Sequence, residues 1–238
     1  MSRDKREVLV GQPHHVFTRG NNRRRLFSYG TDYRRVLWDI VRALAEAECL
    51  VHALALMANH LHLILVPPHL DAMAKFVKSF AQSYAAYRNK KRRGSGKLFE
   101  ERYISIPIRT EAQLAITTAY IELNPVRAGV VDHPADFKWS TYRLHAGDPT
   151  GSRVHPVILT PSGWYLGLSR DPAKRAQLYC EFVESIRARD AKPDGIEEIE
   201  AKEREAQAPY TRRLHRPDGT RAREATPRYG SRKLHVSR

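Results

Sequence analysis

Two histidines separated by a single residue are the feature of this sequence best suited to chemistry. His60 and His62 stand at the start of the apolar run LHLILV. Side chains alternate along a β-strand, so the two imidazoles share one face, about 6.6 Å apart along the strand, and the leucines point into the core. Such a pair can converge on one divalent cation. The alternative is two histidines at a sheet edge with hydrogen-bonded ring nitrogens, so a third ligand and a reacting group are needed to decide.

A helix further along the chain supplies candidates for both. The pattern after Thr110 predicts a helix that ends near Asn124, before Pro125. Tyr120 and Asn124 are four residues apart and lie on one face, whereas Ile121 faces the core. The amide oxygen of Asn124 suits Mg²⁺ or Mn²⁺, and Tyr120 stands one helical turn away. Spacing alone leaves open that Tyr120 is a packing residue and Asn124 only the end of a helix.

Three stretches together resemble a known family. They are the HLH pair in MANHLHLIL, the RGNN segment at residues 19–22, and AYIELNPVRAGVV followed by WSTY. Over residues 6–142 the chain is similar to the single-tyrosine HUH transposases, and within them most similar to the REP-associated tyrosine transposases of bacteria. The HLH pair by itself is weakly specific. Its combination with Y-I-x-x-N-P-V-R-A-G about 60 residues downstream is specific.

The resemblance implies a metal-dependent enzyme that nicks and joins single-stranded DNA at hairpin-forming repeats. His60 and His62 would bind Mg²⁺ or Mn²⁺, Asn124 would complete the metal shell, and Tyr120 would form a covalent 5′-phosphotyrosine. A phenol with an ordinary pKa near 10 needs such help to attack a phosphodiester. Two alternatives stay open: a domesticated hairpin-binding protein that no longer cuts DNA, and a hydrolase that uses water at the same site. The protein is expected to act as a monomer or a homodimer.

The charge of the chain fits a nucleic-acid partner. There are 41 Lys and Arg residues against 26 Asp and Glu, a formal net charge of +15. Arg and Lys neutralise phosphates, and Arg and Asn can also contact base edges. The candidate DNA-binding residues are Arg19, Asn21, Asn22, Arg88, Lys90, Lys91, Arg92, Arg93 and Arg102.

The hydrophobic pattern predicts an α+β fold for the first part of the chain. The predicted strands are 14–19, 51–57, 61–66 and 98–108, and the predicted helices are 31–48, 72–91 and 110–124. The order β-α-β-β-α-β-α favours a ferredoxin-like antiparallel sheet with helices packed on one face. This HUH transposase core is expected to span residues 1–142.

Two further regions are expected after the core. Residues 143–190 form a helical and irregular extension with one amphipathic helix over 172–189, whose stripe is Leu178, Phe182 and Ile186. Residues 191–238 contain few aliphatic side chains and are expected to form a charged, flexible tail.

The composition also excludes some classes of protein. No run approaches the roughly 18 to 20 apolar residues that span a bilayer, and the start of the chain has no apolar stretch typical of a secretory signal. Cys49 and Cys180 are too few for a disulfide framework or a zinc cluster. We therefore expect a cytoplasmic, nucleoid-associated protein without a membrane partner.

Overall fold

A four-stranded antiparallel sheet forms the centre of the molecule. The structure is a computed structural model and describes residues 7–100, 102–154 and 158–202. The strands are β1 (His14–Arg19), β2 (Leu50–Leu56), β3 (His60–Val66) and β4 (Ile104–Pro107). Their spatial order is β2-β3-β1-β4, and every neighbouring pair is antiparallel. This is the expected ferredoxin-like arrangement, in which β3 lies between the first two strands.

Six helices accompany the sheet in the described part of the chain. Helix α1 (Gly30–Ala47) connects β1 to β2, α2 (Ala72–Arg92) connects β3 to β4, and α3 (Glu111–Arg127) follows β4. The later helices are α4 (Tyr142–His145), α5 (Gly163–Gly167) and α6 (Pro172–Arg189). Short 3₁₀ turns occur at Asn21–Arg23, Pro134–Asp136 and Pro149–Gly151, and residues 197–202 are also helical.

Both faces of the sheet are covered, so the expectation of helices on one face was wrong. Leu61, Leu63 and Leu65 share an apolar cluster with buried side chains of α1 and α2. The opposite face carries Ala53 and Ile64, which cluster with side chains of α3. Because this second face is also apolar, it has to be removed from water. The two candidate metal-binding histidines lie on this second face, beneath α3.

The fourth strand is shorter than predicted. Ladder pairing covers only Ile104–Pro107, whereas the prediction began at residue 98. Upstream, Phe99 makes a single bridge to Gly20, and Glu100 N donates to Arg19 O. The sequence between Phe99 and Tyr103 offers only charged side chains, so it has nothing apolar to bury against the sheet.

Helix α3 continues through Pro125, where the sequence predicted its end. A proline inside a helix removes one backbone hydrogen bond but does not always stop the helix. Here the helix ends at Arg127, three residues after the predicted end at Asn124. Beyond it, Gly129 N donates to Val126 O and Val130 N donates to Pro125 O. Gly129 has φ +65°, a left-handed conformation that glycine adopts without strain. The helix therefore carries Arg127 one turn beyond Asn124.

A buried carboxylate connects α3 to the extension that follows the core. Glu122 is fully buried and accepts hydrogen bonds from Thr141 Oγ1 and Tyr179 Oη, and its Oε1 lies 2.8 Å from His145 Nδ1. Burial and the nearby Glu122 carboxylate raise the pKa of the Tyr179 phenol well above its usual value. Tyr179 therefore stays protonated and donates to Glu122.

The C-terminal part of the described chain departs from the sequence prediction in two respects. Helix α6 has the predicted bounds, but its buried stripe is Tyr179, Val183 and Ile186, and Leu178 is only half-buried. Residue 191 does not begin a free tail, because Ile196 and Ile199 are buried in the cluster beneath α3. Two isoleucines three residues apart cover one helix face despite the surrounding charges. The basic stretch after residue 202 lies outside the described residues.

Replacement of Tyr179 by Phe tests the Glu122 network. The Tyr179→Phe variant leaves one oxygen of a buried carboxylate without its donor, so we expect the free energy of unfolding to fall by about 1.5–3 kcal/mol. Urea denaturation measures this change. The matched control is Tyr29→Phe, because the Tyr29 side chain is 66% exposed. Equal stability of the two variants would contradict the role given to Tyr179.

Candidate active site

The two histidines of the HLH pair lie close together on the α3 face of the sheet. His60 and His62 are 1% and 0% exposed, and their ring centroids are 5.1 Å apart with the planes nearly perpendicular. The strand register sets their positions, since His60 lies opposite Arg19 and His62 opposite Phe17 on β1. The pair therefore presents two imidazoles to one small volume between the sheet and α3.

Hydrogen bonds donated by Nδ1 orient both rings. His60 Nδ1 lies 2.9 Å from Asn59 Oδ1, which can only accept, so His60 donates through Nδ1 and keeps the lone pair on Nε2. His62 Nδ1 lies 3.0 Å from His15 Nε2. When His15 accepts this bond, His62 also has its lone pair on Nε2. Such partners fix the tautomer and orientation of metal-binding histidines.

His15 is a site residue that sequence reasoning missed. It lies on β1, two positions before Phe17, and its ring centroid is 5.3 Å from that of His62. The only signal in the sequence was its place in the strand HHVFTR, where it shares a face with Phe17. Its pairing with His62 depends on the β1–β3 register, which a single sequence does not give.

Tyr120 and Asn124 complete the cluster from α3. The Tyr120 side chain is 1% exposed, and its ring centroid lies 6.3 Å from His62 and 6.1 Å from His15, edge-on in both cases. Asn124 is buried one turn further along the same face. One chain thus brings the phenol and both imidazoles together without a second copy.

The donor atoms suit a divalent cation. His60 Nε2, His62 Nε2 and Asn124 Oδ1 are all buried atoms. Two neutral imidazoles and one amide oxygen bind ions such as Mn²⁺, and they leave coordination positions for substrate oxygens. Within residues 7–100, 102–154 and 158–202, no group of three or more His, Cys, Asp or Glu side chains could hold a metal ion. The His-His-Asn set stays the candidate that the sequence predicts, and the structure places its two imidazoles side by side.

Comparison with known proteins identifies a similar family. The family described as "Transposase IS200 like" matches residues 10–124. Over residues 10–124, the chain is therefore similar to the IS200-like transposases.

One solved structure shows a related fold. A REP-associated tyrosine transposase bound to a REP hairpin matches this chain with a TM-score of 0.55 and 19% sequence identity, covering 68% of this chain and 93% of that chain. A transposase from Deinococcus radiodurans R1 has a TM-score of 0.34 and 21% identity, covering 51% and 96% of the two chains. No curated protein matches the sequence. Among the described residues, no helix is both long and apolar enough to cross a membrane.

The RGNN segment holds the turn that precedes His60. Gly20 N donates to Asn59 O at 2.8 Å, and the backbone of residues 26 and 27 donates to Ala58 O. A Cβ atom at Gly20 would lie 2.2 Å from Arg24 O, so only glycine fits at this point. Because Asn59 in turn binds His60, this segment contributes to the orientation of the first imidazole.

Arginines from residues 24–25 and 88–92 meet at one pocket beside the end of β1. This arginine pocket has a volume of about 320 Å³. Its lining residues are Arg24, Arg25, Arg88, Asn89, Arg92, Gly94, Ser95 and Leu98. Positive charge in a concave surface favours the binding of an anion.

The nine candidate DNA-binding residues differ in their exposure. Arg88 is 2% exposed and donates to Leu26 O and Arg25 O, so its guanidinium supports the loop beside it. Arg19 is 8% exposed and contacts Glu100 and the backbone of Lys202. These two side chains are not available to DNA in this conformation. Lys91 pairs with Asp32 and Arg92 donates to Ser28 at the surface, and Asn21 is half-buried. Asn22, Lys90, Arg93 and Arg102 are exposed.

Residues 196–202 pack beside Tyr120 and the end of β1. Ile196, Ile199 and Tyr120 belong to one apolar cluster, and Arg19 Nη1 donates to Lys202 O at 2.8 Å. Since Tyr120 is 1% exposed, a phosphodiester cannot contact its phenol in this conformation. Part of this cluster has to move before any DNA can reach the phenol.

Replacement of His15 tests its role beside His62. His15→Phe keeps an aromatic ring but removes the partner of His62 Nδ1, so we expect Mn²⁺ to bind about 10–100-fold more weakly. Isothermal titration calorimetry or electron paramagnetic resonance measures the affinity. The control is His52→Phe, because the His52 ring binds Thr160 O instead. Unchanged Mn²⁺ affinity in His15→Phe would exclude this role.

Replacement of Gly20 tests the close contact in the RGNN segment. Gly20→Ala forces the Arg24 carbonyl away, and we expect a loss of about 1–3 kcal/mol in the free energy of unfolding. Gly94→Ala is the control, since no atom of the described residues, its two chain neighbours apart, lies within 4 Å of a Cβ added there. Denaturation curves of equal midpoint for the two variants would show that the loop adapts without cost.

Proposed function

We propose that this protein cleaves and rejoins single-stranded DNA at hairpin-forming repeats, with Tyr120 as the nucleophile. The observation that carries the proposal is the position of the Tyr120 ring, 6.3 Å from the His62 ring within one chain. His60, His62 and Asn124 would hold Mg²⁺ or Mn²⁺. Similarity to the IS200-like family over residues 10–124 supports DNA transposition as the overall process.

The reaction exchanges one ester for another. Tyr120 Oη attacks the phosphorus, the new Oη–P bond forms, and the P–O3′ bond breaks. The phenol loses one proton and the departing O3′ gains one, so the products are a 5′-phosphotyrosine and a free 3′-OH. Attack by the 3′-OH of another strand reverses the step and joins two ends without a nucleotide cofactor.

The protein side chains prepare this reaction in three ways. The hydrogen bonds that His60 and His62 make to Asn59 and His15 hold the imidazoles in an orientation suited to metal binding. A bound divalent cation would supply charge stabilisation at the phosphate and at the leaving oxygen. The apolar residues around Tyr120, including Phe17 and Ile121, exclude water that would otherwise hydrolyse the phosphotyrosine.

Charge and fold support DNA as the partner. The chain has a net charge of +15, and the arginine pocket lies beside the end of β1, where His60 and Arg19 pair. The similar solved structure is a REP-associated transposase bound to a REP hairpin, which favours a hairpin here as well. Exposed Asn22, Lys90, Arg92, Arg93 and Arg102 are the proposed contacts to its backbone and bases. Since one chain supplies the phenol and both imidazoles, a monomer suffices for cleavage.

A covalent-adduct assay tests the nucleophile. Wild-type protein is incubated with labelled hairpin oligonucleotides and Mn²⁺ or Mg²⁺, and denaturing gels resolve protein–DNA adducts. Tyr120→Phe lacks the attacking oxygen, so we expect its adduct to fall to background. The control is Tyr165→Phe, whose hydroxyl donates to His145 O.

Each other outcome of the assay points to a different function. An adduct at the wild-type level in Tyr120→Phe would exclude Tyr120 as nucleophile. Hairpin binding in the presence of chelator, with no adduct under any metal, would indicate a DNA-binding protein without cleavage activity. Cleaved products without an adduct would indicate a hydrolase that uses water.

A further inference from the structure

Arg127 lies against the proposed nucleophile. Arg127 follows Tyr120 by seven positions, about two helical turns, so both lie on one face of α3 because the helix continues through Pro125. The guanidinium carbon of Arg127 is 4.6 Å from the centroid of the Tyr120 ring. A cation over a tyrosine ring is attracted to its negative face, so this contact also restrains the ring.

Two of the three guanidinium nitrogens of Arg127 contact oxygen atoms, and the third has no acceptor among the described residues. Nη2 donates to Ala191 O at 2.8 Å, and Nε lies 3.3 Å from Asp190 Oδ1. Nη1 is buried and has no hydrogen-bond partner among the described residues. The Asp190 carboxylate does not reach it and is itself 70% exposed.

A buried N–H of a cation without an acceptor is costly. Such a group loses its hydration and gains nothing in return, which costs about 1–3 kcal/mol or more. Arginine is also the side chain whose planar fork best matches the oxygens of a phosphate. A donor left over next to the reacting phenol therefore points to an anionic ligand that supplies the missing acceptor.

We propose that Arg127 Nη1 binds a non-bridging oxygen of the phosphate that Tyr120 attacks. The same contact holds this phosphate while it is esterified to Tyr120. Arg127 keeps its proton and forms no covalent bond, so the balance of the reaction is unchanged. The inference rests on the proposed function, because it assigns the phosphate to a phosphodiester of single-stranded DNA.

The test compares Arg127→Ala and Arg127→Lys with Arg175→Ala and Arg175→Lys. Arg175 is a matched control because its guanidinium carbon lies 5.4 Å from the centroid of the Tyr165 ring and its Nε is also buried, with no hydrogen-bond partner among the described residues. Adduct formation is measured in a single turnover at saturating hairpin oligonucleotide with Mn²⁺. We expect Arg127→Ala to slow this step by about 10²–10³-fold, as for the loss of one donor to a transition-state oxygen. Arg127→Lys should fall between that variant and wild type.

Two further measurements separate phosphate binding from a structural role. Millimolar guanidinium chloride, far below denaturing concentrations, should restore part of the rate to Arg127→Ala and none to Arg175→Ala. Urea denaturation reports how much each variant is destabilised. Rates equal to those of the Arg175 variants, or a slow Arg127→Ala that guanidinium does not rescue, would overturn the proposal.

Binding of inorganic phosphate distinguishes failure of this inference from failure of the proposed function. Titration followed by ³¹P NMR should show at least about tenfold weaker phosphate binding in Arg127→Lys than in wild type. If wild-type protein forms no adduct with any hairpin but shows this difference, the proposed function fails and the Arg127 anion site stands. Equal phosphate binding by wild type and Arg127→Lys overturns the Arg127 site, whatever the adduct assay gives.

Discussion

A fully buried carboxylate fixes the position of α3 on the sheet. Glu122 accepts hydrogen bonds from Thr141 and Tyr179 and contacts His145. The hydroxyl of Thr141 is in turn hydrogen-bonded to the backbone of Leu54 on β2. A buried charge tolerates only an arrangement that satisfies it, so these partners leave α3 little freedom to slide or rotate. Tyr120 and Glu122 are two positions apart, so their side chains leave the helix axis in directions about 200° apart. The side of α3 opposite Glu122 is therefore held towards the histidines, and that side carries Tyr120.

This arrangement explains why two separated sequence motifs occur together. Glu122 lies in AYIELNPVRAGVV, and Thr141 lies in WSTY. The second motif runs along the open edge of β2, where Leu56 N donates to Trp139 O and Ala55 bridges to Ser140. Its threonine thereby joins the sheet to the carboxylate of the first motif. The C-terminal extension adds Tyr179 and His145 to the same network, so it supports the site although it lies outside the part of the chain that the family matches.

The sequence predicted local features well and long-range ones poorly. Alternation along one strand predicts that His60 and His62 share a face, and helix periodicity does the same for Tyr120 and Asn124. The role of His15 depends on pairing between β1 and β3, which no local pattern contains. Arg127 was overlooked because a proline usually ends a helix, and here a left-handed glycine ends it one turn later. The prediction of a tail from residue 191 failed because low average hydropathy concealed Ile196 and Ile199 at helical spacing.

The register between β1 and β3 limits which insertions and deletions the two strands tolerate. Side chains alternate, so a slip of one residue would carry His60 and His62 into the leucine-rich layer beneath α1 and α2. The bond from Gly20 N to Asn59 O closes the ladder immediately after its last pair and acts as a stop against this slip. Insertions or deletions of a single residue within either strand are thus far more harmful than substitutions there, whereas the loops at the opposite ends of the strands tolerate changes of length.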